Sequence, residues 1–152
     1  MKTQKSRMLN IRGGVLIELH DKDENIKAVR RVSNIITNRG FDYICQRIGE
    51  YLEGSMIYAA IGEDGTVPSS SDLSLKGEAA RVSGTYNHIA GSKVFTNESV
   101  FGAGVVSGTF REAGLFNASS KGIILNRVTF DDIVKGTDDI LTLKWEIALS
   151  EV

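Results

Sequence analysis

The sequence predicts an all-β domain, mainly an antiparallel β-sandwich or flattened barrel, with one amphipathic α-helix near residues 41–52. Three observations carry that expectation. Apolar runs of strand length recur along the chain, bounded by turn-forming residues. Sixteen glycines accompany one proline among plentiful β-branched and aromatic residues, the pattern of tight turns and close strand approach rather than disorder. Only one stretch places its apolar residues at helical offsets.

Met1 to Arg12 is polar and basic, with Lys2, Lys5, Arg7 and Arg12, and reads as an N-terminal arm, either frayed or ordered against a neighbouring subunit. Residues 13–152 then form a single domain. Gly13-Gly14 opens a strand to His20, and Asp21 to Asn25 turns the chain into a second strand over Ile26 to Ile36. Asp21, Asp23 and Asn25 copy the first ligand positions of a calcium loop. The copy then fails, with Ile26 where the loop needs glycine and Val32 where it needs a bidentate glutamate.

Phe41, Ile44, Cys45, Ile48 and Leu52 mark one apolar helical face, with Asn38 placed to cap its start and Gly54 to stop it. The expectation is a helix plugging the end of a sandwich, with Cys45 as a buried, inert thiol. Met56 to Gly62 is apolar enough for a central strand, and the loop from Glu63 to Asp72 holds the only proline. A brief helical turn over Leu73 to Ala80, a strand over Arg81 to His88 and another over Lys93 to Phe101 follow. In Ile140 to Leu149 the residues Leu141, Leu143, Trp145, Ile147 and Leu149 share one face, so the register is firm and the strand lies inside a sheet.

The stretch from Phe101 to Phe130 organises the rest. It reads as a glycine-spaced apolar strand, then Arg111-Glu112 ahead of Ala113 to Phe116, a turn at Asn117 to Gly122, and a β-branched strand holding Arg127. Glu112 precedes a run that looks buried, and a buried carboxylate needs donors or a cation. Arg81 and Arg127 each lie within an apolar run, so a structural ion pair of Glu112 with Arg81 or Arg127 is expected, with two solvated rim residues as the alternative.

Several chemistries lack their residues. A formal net charge of −1 gives no field for a polyanion, so nucleic acid is not an expected partner. A single Cys45 allows no internal disulfide and no thiolate zinc cluster, and His20 and His88 are too few for a metal site. Ser69 to Asp72 has no base nearby, and Gly62-x-x-Gly65 precedes no helix carrying a lysine. Asp131, Asp132, Asp138 and Asp139 read as solvated turn carboxylates, on one turn rather than across a cleft. No run is long enough to span a bilayer and no leader is expected, so neither membrane nor cofactor enters the reading.

Four phrases taken in succession carry a resemblance. They are Asn34 to Phe41; Ala59 to Gly62 with its loop and Glu78 to Arg81; Phe101 to Gly104 through Glu112 to Phe116; and Asn126 to Phe130 ahead of Leu141 to Ile147. Together they resemble small structural proteins of tailed bacteriophages, of the tail-fibre, collar or head-fibre-like group. The resemblance implies a non-enzymatic virion component, made in the bacterial host cytoplasm. Its partners would be identical copies in a symmetric homo-oligomer and other phage virion proteins. The alternative is a receptor- or carbohydrate-binding module at a fibre tip, which would read a host surface glycan with Tyr51, Tyr58 or Tyr86. Heptads, collagen triplets and short repeats are missing, so no fibre shaft is expected.

Overall fold

A computed structural model describes residues 8–49 and 54–151. Two five-stranded antiparallel sheets pack face to face. The strands are β1 (Leu9–His20), β2 (Ile26–Ser33), β3 (Ile35–Ile36), β4 (Tyr58–Gly62), β5 (Glu78–Ser83), β6 (Thr85–His88), β7 (Val94–Phe101), β8 (Gly108–Phe116), β9 (Ile124–Lys135) and β10 (Ile140–Glu151), with α1 (Asn38–Gly49) between β3 and β4. The first sheet runs β2-β1-β10-β7-β6 and the second β3-β9-β8-β4-β5. The sandwich with one helix is therefore the architecture.

Alternation decides the core of the first sheet. Val15, Ile17 and Leu19 of β1 pair with Trp145, Leu143 and Leu141 of β10, and all six side chains are buried. On the second sheet Ala59, Ile61, Ala113, Leu115 and Val128 face them. β10 lies between β1 and β7, the interior position its alternation called for.

Five local expectations are corrected. Leu9 to Arg12 belong to β1 and pair with Ala148 to Glu151, so strand pairing reaches into the segment read as an arm. Of that segment's cations, Arg12 is an exposed strand residue, and Lys2, Lys5 and Arg7 lie outside the described residues. Gly102 to Ser107 is a turn rather than a strand, because there the chain leaves the first sheet at β7 and enters the second at β8. The stretch from Arg81 to His88 is split between β5 in one sheet and β6 in the other. Gly84 sits at that crossover because a Cβ would overlap the Ser99 hydroxyl and the Asn97 amide. Leu73 to Gly77 forms no helical turn, since the Lys76 and Gly77 amides donate instead to Glu112.

The fifth correction concerns α1. It starts at Asn38, and Thr37 is its cap: Thr37 Oγ1 accepts from the Gly40 amide at 2.9 Å and donates to the Ile124 carbonyl at 2.8 Å. Gly40 lies against β9, where a Cβ would overlap the Leu125 carbonyl oxygen. That close approach turns Gly40 and Tyr43 inward and leaves Phe41, Cys45 and Ile48 exposed. Of the apolar stripe expected to be buried, Ile44 is half-buried against the core while Phe41, Cys45 and Ile48 face out; Leu52 lies outside the described residues.

The turn between β9 and β10 is also less solvated than its composition suggests. Asp139 is buried, and its Oδ2 accepts from Lys27 Nζ at 2.8 Å and from the Gly136 amide at 2.7 Å. These donors, Lys27 first, hold the carboxyl below its ordinary 3.8. A depressed carboxyl gives stability that is complete above the unfolded value and is lost as pH falls through the folded one. Stability should therefore begin to drop on acidification near pH 3.8, and Asp139→Asn should be less stable at neutral pH with a shallower acid slope. Urea unfolding between pH 2 and pH 6 measures both, and parallel slopes in the two proteins would remove Asp139 from the account.

Candidate functional site

The outer face of the second sheet holds a buried polar clamp. Alternation from Ala113 and Leu115, which face the core, puts Glu112, Gly114 and Phe116 on the outer side, and Gly114 pairs with Arg127 of β9. Glu112 and Arg127 are fully buried, and Arg127 Nε donates to Glu112 Oε2 at 2.8 Å. The segment from Glu63 to Gly77 buries them by folding over this face. Glu112 Oε1 accepts from the Gly77 amide at 2.6 Å, and Oε2 also accepts from the Lys76 amide at 3.1 Å. Arg127 Nη1 donates to the Thr66 carbonyl at 2.8 Å and to Asp72 Oδ2 at 3.3 Å. Asp64 Oδ1 stands 3.7 Å from Arg127 Nη2, too far for a hydrogen bond. One ion pair thus fastens both ends of a long loop.

Small residues make room for the clamp. A Cβ at Gly62 would overlap Glu112 Oε1, and one at Gly114 would come within 3.2 Å of the Leu75 side chain. Leu75 seals the loop by packing with Ala60, Phe116 and Ile124 in an apolar cluster separate from the main core. Asp64, beside the pair, accepts from Thr66, which holds its carboxyl below the ordinary value.

Arg81 serves a different joint. Its guanidinium lies 3.7 Å from the Phe116 ring centroid, bonds both oxygens of Glu78, and donates to the carbonyls of Ala118 at 2.9 Å and Lys121 at 2.8 Å. It ties β5 to the turn between β8 and β9, so of the two arginines weighed for Glu112 the structure brings only Arg127 to it. Arg111 points elsewhere too, to Asp132 at 2.7 Å.

The remaining sequence candidates occupy ordinary positions. Asp21 Oδ1 accepts the amides of Asp23 and Asn25, each at 2.9 Å, closing its own turn. Ser69 and Asp72 close another, with the Ser69 amide donating to Asp72. His20 stands 3.8 Å from Glu18, and His88 Nδ1 is 2.7 Å from the Val94 carbonyl. Tyr58 packs beside the Leu75 cluster, Tyr86 is exposed on β6 against Phe95, and Tyr51 lies outside the described residues. No group of three metal-ligating side chains occurs among the described residues.

Sequence reasoning missed a second feature at one end of the molecule. At one end of the sandwich, Ile11, Phe95, Ile147 and Leu149 of the first sheet and Leu125 of the second line a groove together with Ile44 and Ile48 of α1. The described residues leave a groove of about 570 Å³ there. Its lining is mostly apolar, with Ser55 and Arg47 as the exceptions other than the tyrosines, and Arg47 is the one charged residue among the described residues that line it. Tyr43 closes one wall; its hydroxyl donates to the Gly54 carbonyl at 2.8 Å, and burial raises its pKa. The signal was present in the helical spacing of Ile44 and Ile48, but that spacing does not say which way the stripe faces.

Neither a family model, nor a characterised protein, nor a solved structure matches the chain. The reading of its function rests on its residues and their geometry.

Proposed function

We propose that the chain is a non-enzymatic structural protein of a tailed-bacteriophage virion, a neck, collar, tail or capsid-attached component that assembles through contacts of its β-domain and N-terminal segment. The observation that carries the assembly part is the groove under α1. Ile48 on its rim is 79% exposed and Tyr86 54%, an apolar surface that invites a protein partner. The clamp supports the same reading, because both oxygens of Glu112 are taken by donors and the pair holds backbone in place. The virion context comes from the succession of phrases between Asn34 and Ile147. Its partners would be identical copies and neighbouring virion proteins, with the chain made in the host cytoplasm.

Two measurements test the proposal. The chain should be found at fixed stoichiometry by mass spectrometry of purified particles from cells producing it, and its absence from particles would overturn the virion reading. Light scattering should give a closed oligomer for the full chain. The informative truncation begins at Met8, which removes Lys2, Lys5 and Arg7 but leaves β1 whole. A lower mass for that form would assign the terminal segment to the contact, an unchanged mass would confine assembly to the β-domain, and a monomer from the full chain would overturn self-assembly.

A further inference from the structure

We infer that two copies of this chain pair face to face through the outer side of the first sheet, about a twofold axis that runs along the strands between β1 and β10. This rests on the assembly reading above and says which surface meets which.

The outer side follows from the core. Val15, Ile17, Leu143 and Trp145 are buried and face inward, so their neighbours in sequence face out. Register then sets the outward residues in rows across β2, β1, β10 and β7. The middle row is Arg31, Leu16, Lys144 and Glu98. Ser33, Gly14, Glu146 and Thr96 form the row on one side of it, and Val29, Glu18, Thr142 and Val100 the row on the other.

The chain itself leaves the ends of these rows unused. Lys144 lies 3.9 Å from Glu18, but the side chains of Arg31, Glu98 and Glu146 make no hydrogen bond or ion pair among the described residues. Val29 and Val100 are 42% and 48% exposed. A half-turn about the proposed axis keeps every row at its level and reverses its order. Arg31 of one copy then meets Glu98 of the other, Val29 meets Val100, Ser33 meets Thr96, and Glu146 enters the hollow left by Gly14. Each contact occurs twice, and long charged side chains tolerate the usual angle between stacked sheets.

Charge also rejects the neighbouring alignments. With the axis over β10, Lys144 would face Lys144 and Glu146 would face Glu146; with the axis over β1, Arg31 would face Lys144 and Glu18 would face Glu18. Like charges so placed are penalised, which leaves the axis between the two strands. Area is sufficient as well. Four strands about 4.8 Å apart, paired over about eight residues, present roughly 500 Å² in flat projection, and side-chain relief raises this toward the roughly 800 Å² per partner of a standard interface. The occupant of this face is therefore a second copy, and the contact is isologous and closes with two.

The test uses full-length chains carrying Arg31→Glu, Glu98→Arg or both, at exposed positions where unfolding midpoints should stay near the wild type. In light scattering each single variant should stay associated only at concentrations at least about tenfold above those that suffice for the wild type, because like charges now meet at two places. The double variant should regain the wild-type mass. So should an equimolar mixture of the two single variants, in which every reversed charge again faces an opposite one. If the wild type is oligomeric and either single variant keeps its mass, or the double variant or the mixture fails to recover it, the face-to-face pairing is overturned while assembly itself stands. A wild type that is monomeric throughout overturns both.

Discussion

Arg127→Met should lower the thermal unfolding midpoint by roughly 10 °C. Removing one partner of a buried pair costs about 3–5 kcal/mol, because the other charge stays buried without its counter-ion, and each kcal/mol moves the midpoint of a chain of this size by about 2–4 °C. Glu112 would keep the Lys76 and Gly77 amides but no cation. Glu112→Gln should also destabilise, for a more local reason. Oε1 faces the Gly77 amide and Oε2 faces both Lys76 and Arg127, so a carboxamide NH2 meets a donor whichever way it turns. The loop should loosen with the pair, and limited proteolysis should cut between Glu63 and Gly77 in Arg127→Met at protease levels that spare the wild type. The double variant Glu112→Leu with Arg127→Met should recover part of the loss, since no charge is then stranded. Unchanged melting in both single variants would show that the loop is held by Leu75 and its neighbours alone.

Trp145→Ala should destabilise as strongly, by about 3–5 kcal/mol, whereas Trp145→Phe should cost less than about 1.5 kcal/mol. Trp145 is 1% exposed at the centre of β10, between Val15 of β1 and Asn97 of β7, so alanine leaves a cavity that two sheets cannot close. Its Nε1 has no hydrogen-bond partner among the described residues. Phenylalanine gives up volume but also removes a buried donor whose hydration is lost on folding. Urea denaturation of the three proteins separates the effects, and a loss with phenylalanine equal to that with alanine would mean that the indole N–H is satisfied after all.

The contrast between these sites shows which parts of the molecule could be read from the sequence. The face of β10 was legible because a period of two is a property of one strand and needs no knowledge of its neighbours. The burial of Glu112 was legible in part, from Ala113 to Phe116 after it and the glycines around it. The choice of Arg127 over Arg81 was not: it depends on register, which sets Arg127 beside Gly114 and carries Arg81 to the turn between β8 and β9. Helical spacing gave Ile44 and Ile48 a common stripe, but its direction was fixed by Gly40, whose missing side chain lets α1 settle on Leu125.

The amino-acid sequence by itself determined the all-β class, the single helix, the turn from Asp21 to Asn25 and the inward face of the last strand, because each follows from local periodicity or turn chemistry. Only the tertiary structure decided which sheet each strand joined, that Gly84 and Gly102 to Ser107 carry the chain between layers, that Asp139 is buried on Lys27, and that the Glu63 to Gly77 loop is clamped over Glu112 and Arg127. Those outcomes depend on contacts between residues far apart in the chain. A local pattern can require that a charge find a partner, but only packing brings the partner within hydrogen-bond distance.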